Sequence, residues 1–189
     1  MATIHHTTIT PGKLDLLAAW LPGQSWFRPG GGELAQAGGF RLDDPAGEVG
    51  IELLVVTDDR DAYLVPMAYR GAPLPGAPEG ALIGTAEHGV LGARWFYDGA
   101  QDPVVRAELA RLLRGEAVPQ QRSESDAVDG SVAVAPVAGG VEPVLRRLLV
   151  PVDPAGEPAP GEAVAPYTAP DGSVRRAVFV ADGRTGQVS

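Results

Sequence analysis

The chain has 189 residues, 44% of them hydrophobic and 21% charged, with 25 glycines, 18 prolines and no cysteine. That composition excludes disulfides, thiolate catalysis and cysteine-ligated zinc, and the Gly and Pro content points to many turns rather than long helices. The formal charge of −9 disfavours nucleic acid and anionic membrane as partners.

Residues 2–9 alternate enough for a short strand. Thr10 as N-cap and Pro11 at the first helical position predict a helix whose buried stripe is Leu14, Leu17, Ala18 and Leu21, ended by Pro22-Gly23. Lys13, the only lysine against 14 arginines, sits at the start of that helix, so amine chemistry has one candidate. The sequence has no basic start followed by an apolar core and no stretch of membrane-span length, so the expected location is cytoplasmic.

Residues 49–57 and 62–70 read as a β-hairpin joined through Asp58-Asp59-Arg60-Asp61. Pro66 cannot donate to a ladder, which predicts an edge or a bulge there. Two short strands near 81–87 and 92–97 precede Asp102-Pro103, a cap-plus-proline signal for a helix with Val105, Leu109, Leu112 and Leu113 on one face and Gly115 as its stop. Strands follow strands without βαβ alternation, so the expected class is α+β with an antiparallel sheet and helices on one side. Residues 116–130 read as a linker or long loop. Strand character at 131–138, 143–152 and 173–181 then predicts a small β-rich extension over 131–189, which either continues the first sheet or packs apart from it.

The most individual stretch is 82–113, where Glu87, His88, Arg94, Trp95, Phe96, Tyr97 and Asp98 are concentrated in a chain otherwise poor in aromatics. It is either a packing seam with a polar rim or a recognition surface, and residue types alone do not separate the two. Adjacent strand residues point to opposite faces, so Glu87 and His88 converge only through a turn, and the same objection applies to His5-His6 as metal ligands. If Phe96 points inward, Trp95 and Tyr97 form an exposed aromatic pair suited to sugar stacking or protein docking. Trp20, Trp26 and Phe27 read as braces of the first helix on the sheet. The Gly30-Gly31-Gly32 run has no following strand-to-helix phosphate loop, so no nucleotide cradle is expected there.

Trp20, Leu21, Gln24, Trp26 and Phe27, with the hairpin 49–70, ALIGTAEHG, WFYDGAQDP and the helix 103–114, resemble the N-terminal cap domain of actinobacterial maltokinases and related aminosugar kinases over roughly residues 10–115. The sequence departs from that family's pattern at Ser25, where a basic residue is usual. The resemblance implies a curved, cystatin-like antiparallel sheet with flanking helices over 1–115, beside a kinase in trehalose and glycogen metabolism, and no catalytic residue in the cap. The His-Gly-Asp loop and metal-binding Asp of the kinase body do not occur after residue 115, and 143–181 has no lysine to pair with nucleotide phosphates, so it can be at most a remnant of the kinase N-lobe. The resemblance therefore implies a stand-alone, non-catalytic cap without cofactor or metal, acting by binding an enzyme of glucan or trehalose metabolism. Two alternatives stay open. One is a maltooligosaccharide-binding or glucan-active protein using the Trp95/Tyr97 face with Glu87, Asp98 or Asp102. The other is an inactive kinase fragment with residual nucleotide binding. Alpha-glucan branching itself needs paired carboxylates at a sugar subsite, and no two acids here have a motif that would place them so.

Overall fold

The computed structural model describes residues 9–28, 30, 32–122 and 127–184. The predicted strand over 2–9 except Ile9, the His5-His6 pair and Gly31 lie outside the described residues. In chain order the elements are β1 (Ile9–Thr10), α1 (Lys13–Trp20), β2 (Ala35–Leu42), β3 (Val49–Thr57), β4 (Ala62–Arg70), β5 (Leu82–His88), β6 (Gly92–Asp98), α2 (Pro103–Leu113), β7 (Ala133–Ala135), β8 (Pro143–Leu145), β9 (Pro151–Val152), β10 (Glu162–Thr168) and β11 (Val174–Asp182). All strand pairings are antiparallel, in the order β1-β5-β6-β4-β3-β2-β10-β11-β8, with β7 on β10 and β9 on β11. The α+β class expected from the sequence is what the structure has.

The sheet is apolar on both faces, and each face has its own helix. Because side chains alternate along a strand, Leu53, Val55, Leu64, Ala68 and Tyr97 face the core that contains Val105, Leu109, Leu112 and Leu113 of α2. Leu54, Val56, Tyr63, Val65, Met67 and Phe96 face the core that contains Leu16, Leu17 and Trp20 of α1 and Leu21 just after it. This two-sided burial explains the near-continuous apolar runs of β3 and β4, whose residues are almost all inaccessible.

Helix α1 begins later than its proline suggested. Its N-cap is Gly12, whose backbone N–H donates to the Asp15 carboxylate at 3.1 Å, and the Thr10–Pro11 bond is cis. The shift rotates the buried stripe: Leu16, Leu17, Trp20 and Leu21 are inside, and Ala18 is exposed. Gly84 makes the docking possible, since a Cβ there would lie 2.6 Å from Leu16 Cδ2. Helix α2 starts where expected. Asp102 caps it by accepting from the N–H groups of Val104 (2.9 Å) and Val105 (3.4 Å), Pro103 holds the first position, and Gly115 at φ +73° ends it.

Pro66 is not at an edge. Strand β4 pairs with β3 along its whole length and with β6 from Met67 to Arg70, while Leu64 donates to Arg147 O and Leu149 donates to Ala62 O on the same side. N–H groups alternate in direction along a strand, so Pro66 points its ring nitrogen to the side of Leu64's donor, into the gap between those two partners. It therefore removes no bond to β3.

The described residues of the 116–130 segment run against the first sheet. Gln120 exchanges two backbone hydrogen bonds with Arg41 of β2, both 2.9 Å, and its side chain bonds Asp43. Tyr167 of β10 pairs with Gly38 of β2, and Phe40 stacks on Phe179 of β11 at 5.9 Å between ring centroids. Arg146 N–H donates to Phe179 O and Arg147 O accepts from Leu64, so the segment after β8 also joins β11 to β4. The C-terminal strands continue the first sheet, curl it around α2 and complete the same core.

Two strands were not legible in the sequence. Strand β2 carries Gly38 (φ +144°) and Gly39 (φ +116°) at a register shift between Gln36 and Gly38, because a Cβ on Gly39 would collide with the carbonyl of Leu53. Strand β10 lies inside a Pro- and Gly-rich stretch that reads as loop.

Candidate functional site: a cationic cleft on the helix α1 face

The register places Arg41 opposite Glu52, Gly50 opposite Tyr69, and Tyr69 opposite Phe96. Alternation then puts Arg41, Glu52, Tyr69 and Arg94 on the α1 face, beyond the first turn of the helix where the apolar packing stops. Together they line a cleft of about 870 Å³ that also takes in Lys13, Glu48, Arg70, His88, Leu91 and Arg122.

Glu52 is the centre of its polar floor. It is 3% exposed and accepts from Lys13 Nζ at 2.6 Å, Arg122 Nε at 2.8 Å and the Tyr69 hydroxyl. Arg122 is fixed further by Gly38 O (3.1 Å) and Gln36 Oε1 (2.6 Å), and Lys13 also lies over the Tyr69 ring, 5.1 Å from its centroid. Gly50 makes room for that ring, since a Cβ would sit 2.8 Å from Tyr69 Cδ2. Burial pushes the Glu52 carboxyl up, but the charges of Lys13 and Arg122 and the hydrogen bonds from Lys13 and Tyr69 together outweigh it and hold the pKa at about 2 instead of 4.5. Burial, followed by the adjacent Glu52 charge, raises the Tyr69 phenol well above 10. At neutral pH the group is a carboxylate, a phenol and two cations, with no proton poised to move.

At the rim, Arg70 grips Asp102 with two bonds, Nε at 2.7 Å and Nη2 at 2.9 Å, and that hydrogen bonding raises its pKa. Arg41 and Arg94 have no carboxylate partner among the described residues; Arg94 donates only a 3.5 Å bond to Ala93 O.

Of the seven residues singled out in the 82–113 stretch, His88, Arg94 and Phe96 line this cleft. His88 Nδ1 accepts from Val90 N at 3.3 Å and Leu91 N at 3.2 Å, fixing the β5–β6 turn. Glu87 is exposed and alternates to the other side. Trp95 and Tyr97 do not form an open platform: Tyr97 is 4% exposed and accepts from Leu74 N at 3.0 Å, while Trp95 is half-buried against the α2-side core. Phe96 is inward as well, because the sheet has a core on each side, so inward and outward positions are both covered. Asp98 is buried too; it accepts from Arg147 Nη2 at 2.5 Å and from Ala100 N at 3.2 Å.

Trp20, Gln24, Trp26 and Phe27 hold the end of α1. Trp20 packs edge-on to Trp26 (6.0 Å between centroids) and donates its Nε1–H to Gly80 O at 2.8 Å; Phe27 lies 4.9 Å from the Tyr63 ring; Gln24 Nε2 reaches Trp20 O at 3.4 Å. Arg147 stacks over Trp26 at 4.8 Å.

Among the described residues no three or more His, Asp or Glu side chains converge in a way that could hold a metal ion, and no helix is long and apolar enough to cross a membrane. Glu52, Tyr69 and Arg122 were missed in the sequence, and Lys13 was marked only as the one amine, although the signal was there: a single acid inside the apolar run VGIELLVVT must find a cation if it is buried.

The structure is thus a curved antiparallel sheet of the α+β class, with a helix on each face and a lined cleft. Residues 20–102 match the family model of the maltokinase N-terminal cap domain, so this segment is similar to that domain. The match runs from Trp20, at the end of α1, to Asp102, the cap of α2. No curated protein matches the chain.

Proposed function

We propose that the chain is a non-catalytic accessory protein of maltose- and trehalose-related metabolism, acting through binding an enzyme of that metabolism. The observation that carries this reading is that three of the four buried carboxylates in the cap segment are committed to cations, while the fourth, Asp58, accepts from the backbone N–H groups of Arg60 and Asp61. Glu52 is neutralised by Lys13 and Arg122, Asp98 by Arg147, and Asp102 by Arg70 while it caps α2. Acid–base catalysis needs a group whose proton can move near neutral pH; these carboxylates are tied into fixed ion pairs, and Glu52 is held at a pKa of about 2. The β5–β6 hairpin tip supports docking, because Val90 (61% exposed) and Leu91 (43%) project beside the half-buried Arg94.

Affinity capture from the native cell, quantified against a Val90→Asp/Leu91→Asp variant, tests the reading. An enzyme of maltose, trehalose or glucan metabolism retained by the unmodified chain and lost from the variant is the expected result; no such enzyme, or equal retention by both, overturns it. The carbohydrate-binding alternative predicts saturable heats with maltooligosaccharides that disappear in Trp95→Ala. With Tyr97 buried, the chain lacks the second exposed ring of that platform, and no such heat is expected.

A further inference from the structure

We propose that the cleft on the α1 face is a binding site for a small phosphate-bearing molecule of the phosphate monoester class. The inference goes beyond the accessory reading and does not depend on it. Five of the chain's fifteen permanent cations, Lys13, Arg41, Arg70, Arg94 and Arg122, line one cleft in a protein of net charge −9, against the two lining carboxylates Glu48 and Glu52. They converge from α1, β2, β4, β6 and the segment after α2, so the concentration is produced by the tertiary fold and not by a run of basic sequence.

The charges are also placed for an anion. Lys13 and Arg122 share the single carboxylate of Glu52, which fixes both side chains yet leaves the trio with one positive charge in excess. Arg41 and Arg94 are uncompensated among the described residues, and Arg70 uses only Nε and Nη2 on Asp102. A guanidinium presents paired donors that match phosphate oxygens, and a site whose cations are already ordered loses less entropy on binding. The opening of about 870 Å³ falls in the range of small-molecule sites, roughly 300–1,000 Å³. The exposed Leu91, Pro73 and Pro75 in the lining leave an apolar surface for the ester's organic part.

Calorimetric titration of the full chain with glycerol phosphate, with sodium chloride at matched ionic strength as the blank, tests the site. The variants are Arg41→Gln/Arg94→Gln and, as a control of equal charge change on other surfaces, Arg60→Gln/Arg106→Gln. Saturable binding to the unmodified chain and to the control, weakened roughly tenfold or more in Arg41→Gln/Arg94→Gln, is expected from the loss of two charge-assisted contacts. Both altered arginines project from the sheet surface, and a thermal melt matching that of the unmodified chain shows that the fold is intact. No saturable heat, or equal weakening in both variants, overturns the proposal.

Discussion

Lys13 and Glu52 meet at 2.6 Å across 39 residues of sequence, the chain's only lysine on an acid buried in the middle of β3. The contact ties the first turn of α1 to the sheet, while Arg122, on the other oxygen of the same carboxylate, ties down the segment after α2. Removing the acid therefore leaves two cations without their counter-charge. Glu52→Gln is expected to lower unfolding stability by roughly 3 kcal/mol in urea denaturation. A loss under about 1 kcal/mol would mean that the pair is not holding these elements together.

The same carboxylate sets an acid limit. Its folded pKa of about 2 lies below the unfolded value of 4.5, so its contribution to stability is complete above pH 4.5 and is lost as pH falls from 4.5 toward 2. A displacement of this size corresponds to about 3 kcal/mol. Urea midpoints measured between pH 6 and 2.5 should fall more steeply below pH 4.5 in the unmodified chain than in Glu52→Gln. Parallel slopes would contradict the assignment.

Asp102 serves two structures at once, as N-cap of α2 and as the bidentate partner of Arg70. Asp102→Ala should cost about 3 kcal/mol, since it removes the cap and leaves Arg70 unpaired. Asp102→Asn keeps an acceptor for the Val104 N–H and should cost about half as much. Equal losses in the two variants would show that capping adds nothing.

The stacking of Phe40 on Phe179 predicts that the strands after residue 130 unfold together with the cap. A double-mutant cycle of Phe40→Leu and Phe179→Leu should give a coupling of about 1 kcal/mol, with one cooperative transition in every variant. Two separable transitions would show that the C-terminal strands form an independent unit.

Much of the fold could be read from periodicity and caps. The β3–β4 hairpin, the β5 and β6 strands, and α2 with its Asp102 cap and Gly115 stop lie where sequence rules place them. What escaped follows from tertiary contact. Strand β2 depends on Gly39 approaching the Leu53 carbonyl, and a glycine reads as loop until that neighbour is known. The register of α1 is set by Asp15 reaching back to Gly12, a choice that local propensity does not decide against Thr10. The site was legible only in fragments. His88 and Arg94 were visible as unusual neighbours of an aromatic run, but Lys13, Arg41, Glu52 and Arg122 are dispersed over 110 residues and meet only through sheet register and curl. The aromatic run itself misled, because alternation implies an open face only for a sheet covered on one side, and this sheet is covered on both.

The central claim, that this chain works by binding and not by turnover, is tested most directly by incubating it with maltose and magnesium ATP and following maltose phosphate by mass spectrometry. The account predicts no product above the protein-free blank at any protein concentration. Product that accumulates in proportion to added protein would contradict it.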